Sequence, residues 1–276
     1  MDSRRETFAT ERARLKVRNP SGDVRIETAD TAETTVELIA LNDSDATRHA
    51  IQNAVVAARG DEVAVEIEGR SWSISIGNLG ITSPKVSIRI TCPHGSDLDC
   101  NTASADLETV GRLGEIRVQT ASGDLRLDRV EGPLELKTAS GDVSIEHAAG
   151  RVVVHTVSGD VLVREALEGL AVNSVSGDVT VEEVAGDLTI GSVSGDQIVR
   201  AAGPGEVALK AVSGDVLVAI RRGLRVRLDV NSVSGTIGSE LEVSDTPTRS
   251  DGPETNLRVR TVSGDVKISR AAEAYA

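Results

Sequence analysis

The chain has 276 residues and a formal net charge of −13, and its 39% hydrophobic content includes only three aromatics, Phe8, Trp72 and Tyr275. This acidity, with a pI near 4.8, excludes a nucleic-acid backbone or an anionic membrane surface as the main partner, since both demand a basic face. No stretch approaches the ~18 apolar residues of a membrane span, the opening MDSRRETFATERARLKVRNP carries no apolar run of signal-peptide type, and Cys92 and Cys100 show no CxxC or metal spacing, so a reduced, cytoplasmic location is expected.

With so few aromatics, the interior falls to Val, Ile, Leu and Ala, a composition that suits closely spaced flat sheets. From the N-terminus, strands are predicted at Arg14 to Arg18, Val24 to Glu27, Thr35 to Leu41, Glu62 to Glu68, Ser71 to Ile76 and Val86 to Cys92, with one short helix over Asp45 to Ala54. Residues 1–103 therefore read as an irregular β segment that caps the open end of whatever follows, because an exposed edge recruits other strands. An isolated Ser21-Gly22-Asp23 lies within it.

Beyond residue 103 the sequence repeats. Ser-Gly-Asp begins at Ser122, Ser140, Ser158, Ser176 and Ser194, each 18 residues after the last, with the variant Ser104-Ala105-Asp106 one period earlier. It continues at Ser213, as Ser234-Gly235-Thr236, and at Ser263, with spacing that drifts toward the C-terminus. The unit from Ser176, SGDVTVEEVAGDLTIGSV, places apolar residues at Val179, Val181, Val184, Leu188, Ile190 and Val193. The same six slots recur as Val143, Ile145, Ala148, Val152, Val154 and Val157, and all six are expected to line the interior. Cys100 falls at the slot held elsewhere by Val118, Leu136, Val154, Val172 and Ile190, which predicts a core side chain.

Apolar residues at i and i+2 cannot share a helical face, and Gly every nine residues would cost a helix about 1 kcal/mol each time. Each unit is therefore two short strands and two corners, and identical units stack in register about 4.8 Å apart. The predicted fold is all-β: a parallel β-solenoid of 18-residue coils over residues 104–276, continuous with the capping segment. An antiparallel sandwich of meanders is the rival, but it does not require the same residue at every corner.

At those corners, Gly123, Gly141, Gly159, Gly177, Gly195 and Gly214 are expected to supply positive φ, with Asp124, Asp142, Asp160, Asp178, Asp196 and Asp215 hydrogen-bonding the turn. The stacked carboxylates suggest an alternative, a calcium-stabilised β-roll, but those rolls use G-G-x-G-x-D turns. Arg221, Arg222, Arg225 and Arg227, flanking Leu224, Val226 and Leu228, read as the solvent face of a strand. The polar run Ser244 to Asn256 is predicted to be a loop before the last coil, and residues 270–276 a tail.

No catalytic constellation emerges: His49, His94, His147 and His155 occupy unrelated positions, and neither a nucleophile elbow nor a phosphate loop is present. The units TASGDLRL, TASGDVSI, TVSGDVLV, SVSGDVTV and TVSGDVKI, with the opening L-x-V-x-N-P-S-G-D-V-R-I at Leu15 to Ile26, are similar to a bacterial β-strand-repeat family of adhesin-like domains of unknown function. That resemblance implies a β-solenoid with no known catalytic residue. The expected function is a non-enzymatic scaffold without cofactor that binds a protein partner or self-associates. A carbohydrate-binding or carbohydrate-active β-helix is the alternative; it predicts clustered carboxylates and exposed aromatics in a cleft.

Overall fold

In a computed structural model of the protein, residues 3–68, 84–241 and 253–272 are described, and the chain divides into two compact units, Met1–Gly141 and Asp142–Ala276. The predicted strand from Ser71 to Ile76, Trp72, Tyr275, and most of the polar run and tail lie outside the described residues.

Unit 1 contains β1 (Ser3–Ala9), β2 (Arg14–Ala29), β3 (Glu33–Ala40), α1 (Asp45–Asn53), β4 (Val55–Arg59), β5 (Glu62–Glu66), β6 (Val86–Pro93), β7 (Ser96–Ser122), β8 (Leu125–Val130) and β9 (Leu134–Ser140). The strand β2 is itself a complete coil. One of its edges pairs in parallel with β7 from Arg14↔Asp97 to Glu27↔Val110, so the isolated Ser21-Gly22-Asp23 stands in register with Ser104-Ala105-Asp106. Its other edge is covered in two halves, by β5 along Arg14 to Arg18 and by β6 along Gly22 to Ala29.

The chain then reverses direction. β3 runs antiparallel to β6, β1 antiparallel to β3, and β4 antiparallel to β5, so the parallel ladder gives way to antiparallel strands. Neither β1 nor β4 was evident from the sequence. β1 buries none of its side chains, and β4 is an apolar run without alternation, so backbone pairing rather than a core face makes them strands. The predicted helix is α1, started by Ser44, whose Oγ accepts the Thr47 N–H at 3.1 Å, and held by buried Thr47, Ala50 and Ile51.

Unit 2 contains β10 (Val143–Ala148), β11 (Val152–Ser158), β12 (Val161–Ala166), β13 (Leu170–Ser176), β14 (Val179–Val184), β15 (Leu188–Ser194), β16 (Gln197–Ala202), β17 (Gly205–Ser213), β18 (Val216–Ile220), β19 (Arg225–Ser234), β20 (Ile237–Ser239), β21 (Glu254–Ser263) and β22 (Val266–Arg270). Even-numbered strands pair in parallel with one another, as do odd-numbered strands, so each coil contributes one strand to each of two faces. Inward side chains line up in columns. One runs Ile145, Val163, Val181, Val199, Val218, Ile268, and none of these is more than 2% exposed. These columns make the fold an all-β parallel solenoid in which the aliphatic repeat is the core.

The stacking order departs from the chain order at the C-terminal end. β21 pairs with both β17 and β19, and β22 with both β18 and β20. The coil 254–270 is thus inserted between the coils 205–220 and 225–239, rather than lying last as expected. Leu257 and Val259 of β21 are fully buried as a result. The inward positions of β19, Val226, Leu228 and Val230, stay partly exposed.

One aliphatic slot of the repeat holds an amide. Gln197 stands where other units carry Val or Leu, is fully buried, and donates through Nε2 to Ser192 Oγ at 2.7 Å and the Lys210 carbonyl at 2.8 Å. Two hydrogen bonds offset the cost of burying its amide, while Oε1 has no partner.

Candidate functional site

The repeated corner is built from the five adjacent positions of the T-x-S-G-D sequence. The first, Thr or Ser, points inward on the strand alternation: Thr138, Thr156, Ser174 and Thr261 are buried, and their hydroxyls donate to the carbonyls of Ser140, Ser158, Ser176 and Ser263 at 2.9–3.3 Å. The corner carbonyl thereby gains a side-chain donor from its own strand.

From Gly123 onward the corner requires glycine, although Ala105 holds the slot one coil earlier. Gly177 sits at φ +114°, and a Cβ there would lie 2.3 Å from the carbonyl oxygen of Gly159 in the neighbouring coil. Gly123, Gly141, Gly159, Gly195 and Gly214 share the positive φ.

The aspartates form a relay along the stacking axis. In unit 2, Oδ1 of Asp142, Asp160, Asp178 and Asp196 accepts the backbone N–H of Asp160, Asp178, Asp196 and Asp215, respectively, at 2.8–2.9 Å. Asp215 then receives Asp265 N–H at 2.8 Å, and Asp265 receives Thr236 N–H at 2.7 Å. In unit 1, Asp106 accepts Asp124 N–H at 2.9 Å. The relay is directional, because each coil's carboxylate caps the next coil's amide. Thr236 has no carboxylate with which to continue it, and among the described residues of unit 2 the coil carrying the Ser-Gly-Thr variant stands last in the stack although it is not last in sequence. Carboxylates spaced one coil apart repel, and these charge-assisted bonds offset that repulsion. Among the described residues no group of three or more His, Cys, Asp or Glu side chains is placed to hold a metal ion.

The remaining position overturns one expectation. The sixth apolar slot does not face the interior: Val157, Val175, Val193 and Val212 are 48–53% exposed, Val262 is 50% and Val233 is 82% exposed. The preceding residue, Thr156, Ser174, Ser192, Ala211, Thr261 or Ser232, takes the inward place, so strict alternation throws the valine outward at the corner. In stacking order Val157, Val175, Val193, Val212, Val262 and Val233 form one column, set by the registers Ser158↔Ser176, Ser176↔Ser194, Ser194↔Ser213, Ser213↔Ser263 and Ser234↔Ser263. The exposed Ser and Asp positions of the same corners flank it. Sequence inspection missed this column because an outward valine and an inward one look alike in an apolar count; the signal was the Thr or Ser that immediately precedes it in five of the six coils, a polar residue in the inward phase.

The other candidate residues are dispersed. His147 Nδ1 meets Glu165 Oε2 at 2.8 Å on the exterior of unit 2, and His94 Nδ1 meets Thr28 Oγ1 at 2.8 Å in unit 1. Arg225 and Arg227 are exposed on the outward side of β19, while Arg221 and Arg222 occupy the preceding turn, where Arg221 pairs with Glu183. Cys92 and Cys100 are buried free thiols, and loss of hydration pushes them up to about 11 and about 12. Exterior ion pairs such as Arg164–Glu146 and Arg200–Glu182 join neighbouring coils, but at this exposure each contributes little. No helix among the described residues is long and apolar enough to cross a membrane.

Comparison with solved structures finds distant likenesses. A proposed lipid-binding protein from Parabacteroides distasonis aligns at 12% identity over 98% of this chain and 97% of that one, with a TM-score of 0.39. A proposed adhesin from the same organism aligns at 9% over 96% and 97% with a TM-score of 0.40, and one from Bacteroides fragilis at 15% over 97% of each with 0.33. Likenesses this distant carry no functional inference. No curated protein matches the chain. The profile of one family does match, over residues 12–269, which takes in every described coil of both units. On that match the chain belongs to the Toastrack DUF4097 family.

Proposed function

We propose that this protein is a non-enzymatic, protein-binding scaffold whose contact surface is the valine column of unit 2. The observation that carries the reading is the column itself: five valines about half exposed and a sixth more so, at the same corner of successive coils. A contiguous apolar strip of this kind reaches the few-hundred-Å² scale that marks interaction sites on soluble proteins. Its rigidity adds to its use. Each valine adjoins a corner held by glycine conformation and the aspartate relay, and at Val157, Val175 and Val262 also by an inward hydroxyl, so little side-chain or loop entropy is lost on docking. The partner it fits is a protein presenting an elongated apolar ridge, with hydrogen-bond donors to meet the flanking Ser and Asp positions.

The test is photo-crosslinking in the native host, with benzoylphenylalanine at Val193 compared with Thr189, which is exposed on the flat exterior of β15. A discrete cross-linked species at Val193 that disappears in a Val175→Glu/Val212→Glu background, with the melting temperature unchanged, is the expected result. Equal cross-linking at Thr189, or persistence in the glutamate background, sinks the reading.

A further inference from the structure

We propose that the outer edge of β19 is a self-recognition surface, on which a second copy of this chain docks antiparallel to form a two-fold symmetric dimer centred on Leu228. This surface is separate from the valine column, and the inference does not rest on the reading given to that column.

The edge is open among the described residues. β19 pairs with β21 on one side only. Arg225 N–H donates to the Pro253 carbonyl on the β21 side at 3.1 Å. In a parallel pair alternate residues turn their backbone groups to opposite sides, so Arg225, Arg227 and Asp229 face β21. Val226, Leu228 and Val230 therefore direct their N–H and C=O groups at the open edge. Their side chains are also the ones that point inward, opposite Thr255, Leu257 and Val259 of β21, and they remain partly exposed because no further coil among the described residues covers them. A long edge with an uncovered apolar side recruits another strand unless a proline, a bulge or an inward charge blunts it, and RVRLDVNSVS has none of these.

The sequence selects the occupant. A further parallel coil would find no carboxylate at this corner to accept its amide, since Thr236 offers none, and so would lack the bond that links the coils from Asp142 onward. An antiparallel strand has no such requirement. With the two-fold axis at Leu228, Leu228 meets Leu228 and Val226 meets Val230 as hydrogen-bonded pairs, using the backbone groups that face outward. On the solvent side Arg227 of each copy then stands opposite Asp229 of the other, two complementary pairs by symmetry. Both residues are exposed and adjacent to that register point. Sliding the axis to Asp229 sets Asp229 against Asp229, and sliding it to Arg227 sets Arg227 against Arg227 while placing Arg225 of each copy opposite Asp229 of the other. Of these three registers, only the one centred on Leu228 is self-complementary without a like-charge contact.

Sedimentation velocity on the full chain, from about 1 to about 100 µM, with wild type, Arg227→Asp, Asp229→Arg and the double swap Arg227→Asp/Asp229→Arg, decides the matter. Wild type is expected to shift toward twice 28.9 kDa as concentration rises. Each single swap should weaken the dimer by at least about tenfold, since it sets like charges opposite twice, and the double swap should restore it. Unchanged melting temperatures show that the variants fold. A wild type that stays monomeric throughout overturns the proposal and leaves the edge to a strand of this chain or of another protein. A dimer indifferent to the single swaps overturns it too, placing self-association elsewhere, and failure of the double swap to restore the dimer overturns the register.

Discussion

Replacing Gly177 with alanine tests the corner most directly. At φ +114° an L-residue carries about 1–3 kcal/mol of backbone strain. The new Cβ also lies 2.3 Å from the Gly159 carbonyl oxygen and 2.7 Å from its carbon, both backbone atoms that cannot rotate away. Relief requires the two coils to separate locally, which stretches the Asp178 N–H bond to Asp160 Oδ1 at 2.8 Å and the Val161 N–H bond to the Asp178 carbonyl at 2.9 Å. Each is worth about 1 kcal/mol, so the total loss is about 3–5 kcal/mol. For a chain of this size that corresponds to a fall in Tm of roughly 6–20 °C by calorimetry. Gly191 is the internal control, since it belongs to the same 18-residue unit but has no positive φ, and its Cβ would meet only Asn173 Oδ1 at 3.4 Å. Gly191→Ala should be neutral or stabilising by up to about 1 kcal/mol through reduced freedom of the unfolded chain. A Gly177→Ala Tm within about 2 °C of wild type, or equal losses in the two variants, would refute the argument that stacked backbones dictate these glycines.

Inward and outward slots should separate in urea unfolding. Ile190→Ala, at a fully buried position, is expected to cost about 2–5 kcal/mol, whereas Val193→Ala, three residues on and 49% exposed, should stay within about 0.5 kcal/mol; comparable losses would return the sixth slot to the core. The buried thiols predict an alkaline instability in unit 1. Cys92 and Cys100 are held up to about 11 and about 12 in the folded protein, above the ordinary thiol value of 9.0 to which unfolding returns them. The unfolded chain therefore loses protons first, and stability that is complete below pH 9 declines as pH rises through that window, by up to about 1.4 kcal/mol per pH unit for each thiol. In Cys92→Ala/Cys100→Val the decline between pH 9 and 11 should be shallower than in wild type, and parallel slopes would show that burial does not govern these thiols.

What the sequence determined by itself was whatever repeats. An 18-residue period with Ser-Gly-Asp at one phase dictates strands, corners, parallel register and aligned aliphatic columns, because every unit faces the same local problem and its neighbour is a copy of itself. The glycine conformation follows from the same logic, and so does the burial of Cys100 opposite Val17. The tertiary structure decided what depends on which edges meet. That β5 and β6 share the free edge of β2, that β1 joins β3 without a buried face, and that the coil 254–270 slides between two earlier coils are nonlocal pairings with no periodic signature. The outward turn of Val157, Val175 and Val193 lies between these cases: the alternation that expels them is local, but only the inward hydroxyl bonded to the corner carbonyl shows which side of the strand is the inside. Strand pairing is a choice among chemically similar backbone edges, so it is settled by the whole fold rather than by any one segment.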